Sequence, residues 1–170
     1  MEFDKVIEKR KAIRKFKDKS IELEKIREIL KSARLAPSGL NKQPWEFIVV
    51  TDKGKIKKLR EIYDDVRKNL DLYKQNTSFI ENTIPIIVCT TGDKISTSLA
   101  VENMLLKATD LGLGSLPATC FMGTDDAKNK IRDLLNIPDL VEPMIAVLIG
   151  YADESPQRKP RDKKTHWDGW

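Results

Sequence analysis

Ile95-Ser96-Thr97-Ser98-Leu99-Ala100-Val101-Glu102-Asn103-Met104-Leu105-Leu106-Lys107-Ala108-Thr109-Asp110-Leu111 is the stretch on which the fold turns. Wound as an α-helix, it places Ala100, Val101, Met104, Leu105, Ala108 and Leu111 on one broad arc, while Leu99 and Leu106 form a second apolar stripe elsewhere on the circumference. One core cannot use both faces. Either the helix lies at the centre of the domain, or it packs against a second subunit, and a chain of 170 residues has few layers with which to surround it.

Working outward, Phe3, Val6 and Ile7 mark a short helix that runs into the basic segment Arg10–Phe16, and Ile26, Ile29, Leu30 and Ala33 mark a second, stopped by Pro37-Ser38-Gly39. Phe47–Val50 has the length and β-branching of a strand. Asp52 is placed to cap a helix carrying Ile56, Leu59 and Ile62. Residues 66–83 are polar and poorly periodic. Ile84–Cys89 is a second strand, with Pro85 near its entry, where a missing N–H does least harm. Beyond the two-faced helix, Gly112-Leu113-Gly114 reads as a helix end, Thr124 caps a helix with Ile131, Leu134 and Leu135, and Met144–Ile149 is a strand apolar on both faces. Helices separate the strands, so the class is α+β or α/β. No internal repeat or low-complexity linker divides residues 1–170, which read as a single domain.

Composition excludes several chemistries. Lys and Arg number 31 against 26 Asp and Glu, interleaved in sign, for a net charge of +5 and a pI near 9.1. Such a balance permits nucleic acid, a membrane surface or a small phosphorylated ligand as partner. Only 6% of residues are aromatic, which disfavours a nucleic-acid-binding module. The N-terminus has no apolar signal core and no apolar run approaches membrane-spanning length, so a cytoplasmic location is expected. His166, the only histidine, lies in the last five residues, so a Ser/His/Asp arrangement would have to draw its base from there, which disfavours it. Cys89 and Cys120 are solitary in apolar settings and read as core thiols, and no metal-ligand spacing occurs. There is no Walker loop, and Gly112-Leu113-Gly114 lacks the strand that a dinucleotide fingerprint needs before it. If the chain is an enzyme, a cofactor carries the difficult chemistry.

Three separated segments, Arg10-Lys11-Ala12-Ile13-Arg14-Lys15-Phe16, Ala36-Pro37-Ser38-Gly39-Leu40-Asn41-Lys42-Gln43-Pro44-Trp45-Glu46-Phe47 and Glu102-Asn103-Met104-Leu105-Leu106 continuing to Ser115, together resemble the nitroreductase family of flavin enzymes. They are similar to its RRSIRxF, APSxxNxQPWxF and ENxxLxAxxLGLGS motifs, in the same order. The resemblance implies an α+β fold with a central, mainly antiparallel sheet flanked by helices, built as an intimate homodimer with flavin mononucleotide (FMN) at the subunit interface. It implies an oxidoreductase working by a ping-pong scheme, in which NADH or NADPH and then an electron-poor small molecule, such as a nitroaromatic or quinone, use one site over the flavin. Relatives that dehalogenate reductively or break down flavin are the alternative within the fold.

The resemblance also implies roles for particular residues. Arg10 is the leading phosphate ligand, with Lys11 beside it, because guanidinium groups hold phosphate oxygens bidentately. Arg14 is expected toward the pyrimidine edge of the ring. Ala12 replaces the small hydroxyl residue often found in the family, leaving its backbone N–H as donor. Pro37, Ser38 and Gly39, with Asn41 nearby, are expected to reach the flavin of the other subunit, whereas Trp45 reads as core. Leu116, Pro117 and Ala118 fall where relatives approach the reactive ring nitrogen. Lys159 and Arg161 in Arg158-Lys159-Pro160-Arg161 are similar to a late phosphate clamp, and segment 66–83 is the expected lid. No side chain is assigned as a catalytic acid or base.

Overall fold

The computed structural model describes residues 1–69, 77–162 and 164–169. Five helices and four strands follow one another as α1 (Phe3–Lys9), α2 (Leu23–Arg34), β1 (Trp45–Val49), α3 (Lys53–Asn69), β2 (Ile84–Thr90), α4 (Lys94–Asp110), β3 (Gly114–Ala118), α5 (Asp125–Leu135) and β4 (Glu142–Gly150). The strands form one antiparallel sheet in the order β1-β2-β4-β3, with β2 and β4 at its centre.

Alternation along the central strands explains why they read as apolar on both faces. In β2, Ile87 and Cys89 enter a core with α3, α5, Ile13 and Phe16, whereas Ile86 and Val88 enter a second core with α2 and α4. In β4, Ala146 and Leu148 take the first side, and Ile145, Val147 and Ile149 the second. The molecule is therefore a sheet covered on both faces by helices. Trp45 is buried in the second core, as expected.

Local chemistry places the helix ends. Asp52 Oδ1 accepts the Lys55 N–H at 2.8 Å, and Thr124 caps α5 through the Ala127 N–H. At the other end of α4, Gly112 takes φ +74° while the N–H groups of Gly112 and Leu113 return to the carbonyls of Thr109 and Ala108, a Schellman closure that turns the helix directly into β3. That strand was not expected from Gly-Ser-Leu-Pro-Ala. It exists because β4 offers it a ladder, and Pro117 is tolerated because β3 lies at the sheet edge. Helix α3 continues through Asn69 and Ser78–Asn82 forms a 3₁₀ turn, so the supposedly irregular 66–83 stretch is helical at both ends. Residues 70–76 of the expected lid lie outside the described residues.

Helix α4 resolves half of its own riddle. Ala100, Val101, Met104, Leu105 and Ala108 are buried against the sheet and α2, but Leu99 is 44% exposed, Ile95 80%, and Leu106 is half-buried. Within this chain the helix covers one sheet face and leaves its second stripe at the surface. Cys89 is a core thiol, and burial pushes it up to about 11; Cys120 is only partly buried.

Gly150 closes β4 under Phe16. A Cβ there would lie 2.5 Å from Phe16 Cδ1 and 3.1 Å from the Asn82 carbonyl oxygen, and both the ring and the backbone are packed. Gly150→Ala is expected to destabilise the fold by about 1–3 kcal/mol, since overpacking forces neighbours off their positions. A melting temperature lower by several degrees would show it, and an unchanged one would mean that Phe16 yields at no cost.

Candidate functional site

Helix α1 ends at Lys9, and Arg10 leaves it extended, its N–H returning to the Val6 carbonyl. The following residues run along the outer edge of β3. Ala12 bridges Ser115 in parallel fashion and the Ile13 N–H donates to the Ser115 carbonyl at 3.0 Å. Ile13 and Phe16 point into the core, so Arg14 and Lys15 stay at the surface. The basic character of this segment is thus displayed on an extended chain anchored by its apolar residues.

The chain beyond β4 lies antiparallel to the same segment and fastens its other side. Lys17 donates its N–H to Tyr151, Asp153 donates to Lys15, and Ala152 bridges Phe16. The Glu154 carboxylate accepts the backbone N–H groups of both Arg14 and Lys15. Arg158 Nη2 donates to the carbonyls of Ile7 and Arg10 at 2.8 and 2.9 Å, which brings the tail that carries Lys159 and Arg161 against the end of α1. At the start of this strap, Tyr151 donates to Glu22 and, with help from Lys25, holds that carboxyl down to about 2.

Two cavities flank the segment. One, of about 510 Å³, is bordered by Lys9, Lys11, Thr109 and Gly114; the other, of about 520 Å³, by Ala12, Arg14, Phe79 and Asn82. Glu154 borders both. Arg10 is paired through Nε with Glu102 at 3.8 Å. Lys11, Arg14, Lys159 and Arg161 make no side-chain hydrogen bond or ion pair with another described residue, and the Ala12 N–H is likewise unused. This edge can therefore accept an anion without first breaking internal pairs. Among the described residues no cluster of His, Cys, Asp or Glu could hold a metal ion, and no helix is long and apolar enough to cross a membrane.

Residues 36–44 form a second exposed feature. Leu40, Asn41 and Gln43 all have φ near +50°, an uncommon backbone for residues other than glycine. Ser38 ties the turn together, its hydroxyl oxygen accepting the Gln43 N–H and its carbonyl accepting the Asn41 N–H, each at 3.0 Å; the Ser38 hydroxyl proton remains for another acceptor. Pro37, Gly39 and Asn41 are exposed, and Leu40, at the tip, is 90% exposed.

The structure thus gathers Arg10, Lys11, Ala12 and Arg14 with β3 and, through Arg158, with the tail. It does not bring the 37–41 turn to them in one chain. Gly39 sits against Asp93 at the start of α4, whereas Arg10 reaches Glu102, roughly 14 Å further along the helix axis, and the Lys11 cavity touches Thr109 near its far end. Leu116 and Ala118 are buried in the first core, so residues 116–118 would meet a ligand through their backbone; the pairing register with β4 turns these two side chains inward and leaves Pro117 half-buried. Glu102 and Arg158 lay inside the quoted motifs without being singled out, and Glu154 carried no signal in the sequence.

The profile of the Nitroreductase family matches residues 7–84 and 90–151. The chain belongs to the Nitroreductase family. This member is 33% identical, over 96% of its length and 88% of the relative's, to an Archaeoglobus fulgidus protein provisionally named NADH dehydrogenase/NAD(P)H nitroreductase. It is 31% identical to an iodotyrosine deiodinase of Thermotoga neapolitana over 91% of each chain. Among solved structures, an FMN-dependent nitroreductase of Clostridium difficile superposes with a TM-score of 0.77 at 31% identity, covering 97% of this chain and 98% of that one. The nitroreductase-like fold, with its antiparallel sheet between helical layers, is therefore common to this chain and its relatives.

Proposed function

We propose that this nitroreductase-family protein is an FMN-dependent oxidoreductase that draws reducing equivalents from NADH or NADPH and delivers them to an electron-poor small molecule such as a nitroaromatic or quinone. The observation that carries the reading is the cationic segment Arg10–Arg14 laid along the outer edge of β3, with the Lys159–Arg161 tail fastened beside it by Arg158. The donor set suits a flavin phosphate. The fork of Arg10 and the ammonium of Lys11 would bind phosphate oxygens, Lys159 and Arg161 on the tail would add cations, and the unused Ala12 N–H would stand in for the missing hydroxyl. When bound, the flavin would supply the two-electron redox chemistry. Arg14 would supply a cation that stabilises the negative charge accumulating at the pyrimidine edge of the ring on reduction. The main chain of Leu116, Pro117 and Ala118 would be the part of β3 that meets the ring.

A complete site takes two chains. Pro37, Ser38, Gly39 and Asn41 belong to the partner's share of each site, which accounts for a strained, exposed turn that meets nothing of the cationic segment in its own chain. The homodimer also uses the second stripe of α4, together with the exposed Phe3 and Leu35 that border a groove of about 360 Å³ beside Leu106.

A second reading, reductive removal of halide from an aromatic substrate, is favoured by the 31% identity to the Thermotoga neapolitana deiodinase. Equilibrium dialysis of purified protein against FMN tests the central claim. One flavin per chain is expected, together with NAD(P)H-dependent turnover of a nitroaromatic; iodide release from an iodophenol without nitroaromatic turnover would favour the second reading. A protein that leaves FMN in the dialysate would overturn both.

A further inference from the structure

We propose that Glu102 is a positioning residue for Arg10, and that it thereby sets how strongly the site prefers a phosphorylated flavin over the same ring without phosphate; this rests on the FMN reading above. Arginine has a long stem with many rotamers, so a phosphate-binding guanidinium is effective only where something holds it. Two contacts hold this one. Arg158 Nη2 grips the Arg10 carbonyl at 2.9 Å, fixing the backbone beyond α1. Glu102 Oε1 stands 3.8 Å from Arg10 Nε, and the Arg10 side chain is only 20% exposed.

The choice of nitrogen matters. At 3.8 Å the pair is an electrostatic attraction without a hydrogen bond, and it draws the guanidinium from its Nε side while leaving the N–H groups of both terminal nitrogens for a ligand. No described residue bonds those nitrogens. Glu102 in turn has Arg10 as its single ion-pair partner among the described residues, and it stands on a rigid helix whose neighbours Val101 and Leu105 are buried. Asn103 donates to the Ser32 carbonyl at 3.1 Å and ties the same turn of α4 to α2. The carboxylate is therefore presented from a fixed frame.

The sign of the effect separates this role from a bystander's. A carboxylate near a phosphate site repels the ligand, so if Glu102 did nothing for Arg10, removing its charge would tighten FMN binding. The experiment compares dissociation constants for FMN and riboflavin, by flavin fluorescence, in wild type, Glu102→Gln, Arg10→Ala and the double variant. We expect Glu102→Gln to weaken FMN about two- to fivefold, the scale of a partly exposed ion pair, and to leave riboflavin unchanged. In the Arg10→Ala background, where only the repulsion between carboxylate and phosphate remains, the same change is expected to leave FMN binding unchanged or slightly tighter relative to riboflavin. Unchanged or tighter FMN binding, an equal loss for both flavins, or a loss that persists without Arg10 would each overturn the proposal. A wild type that takes up neither flavin removes the FMN reading itself, and this proposal with it.

Discussion

Arg10→Ala is expected to raise the dissociation constant for FMN about tenfold to a hundredfold, while Lys57→Ala leaves it within about twofold of wild type. Hydrogen bonds to charged groups contribute about 1.5–3 kcal/mol each, and every 1.4 kcal/mol is a factor of ten. Arg10 should deliver that contribution because its terminal nitrogens are unpaired and its backbone is clamped by Arg158. Lys57 is an exposed lysine on α3, outside the cationic edge, and stands for the background charge of a chain with 31 basic residues. Raising the salt concentration sharpens the comparison, since screening removes long-range attraction and leaves direct contacts largely intact. Equal losses in the two variants would mean that the net charge of +5, rather than a built site, draws the ligand.

If the protein is the homodimer proposed above, Leu99→Lys is expected to convert it to a monomer and to abolish FMN retention with it. Leu99 stands on the α4 stripe that the described residues leave partly uncovered, near the more exposed Ile95. An ammonium at that position would be desolvated without a partner in an apolar interface, at a cost of several kcal/mol counted once per subunit and so felt twice per dimer. Light scattering should then report the 19.4 kDa chain mass in place of twice that value. The comparison variant is Leu140→Lys, at a residue 92% exposed in the loop before β4, which is expected to stay dimeric and to bind FMN normally. A wild-type protein that is monomeric yet binds FMN tightly would refute the two-chain site, because the 37–41 turn would then have to reach the flavin from its own chain.

What was legible in the sequence follows the range of the forces involved. The caps by Asp52 and Thr124 were readable because a side-chain oxygen meets an N–H three residues on. The second stripe of α4 was readable because periodicity is a property of neighbours in the chain. Strand β3 was not, since Gly-Ser-Leu-Pro-Ala has little strand preference of its own and its state is imposed by β4. For the same reason the inward turn of the Leu116 and Ala118 side chains was not readable beforehand. The last turn of α3 was missed because it carries a single apolar residue, Val66, in Val66-Arg67-Lys68-Asn69.

By itself, then, the sequence determined the family, through three ordered motifs, and with it the class of fold, the cationic segment that should meet a phosphate, and a helix with one apolar face too many. Each of these is carried by side-chain identity over a few consecutive turns. Only the tertiary structure decided that the tail lies antiparallel to that segment, that Glu154 seats on the N–H groups of Arg14 and Lys15, that Arg158 clasps the Arg10 carbonyl, and that Glu102 faces Arg10. These contacts join residues 92 to 148 positions apart in the chain. Their geometry depends on which sheet edge is left open and on the register of β3 against β4, which no local pattern encodes.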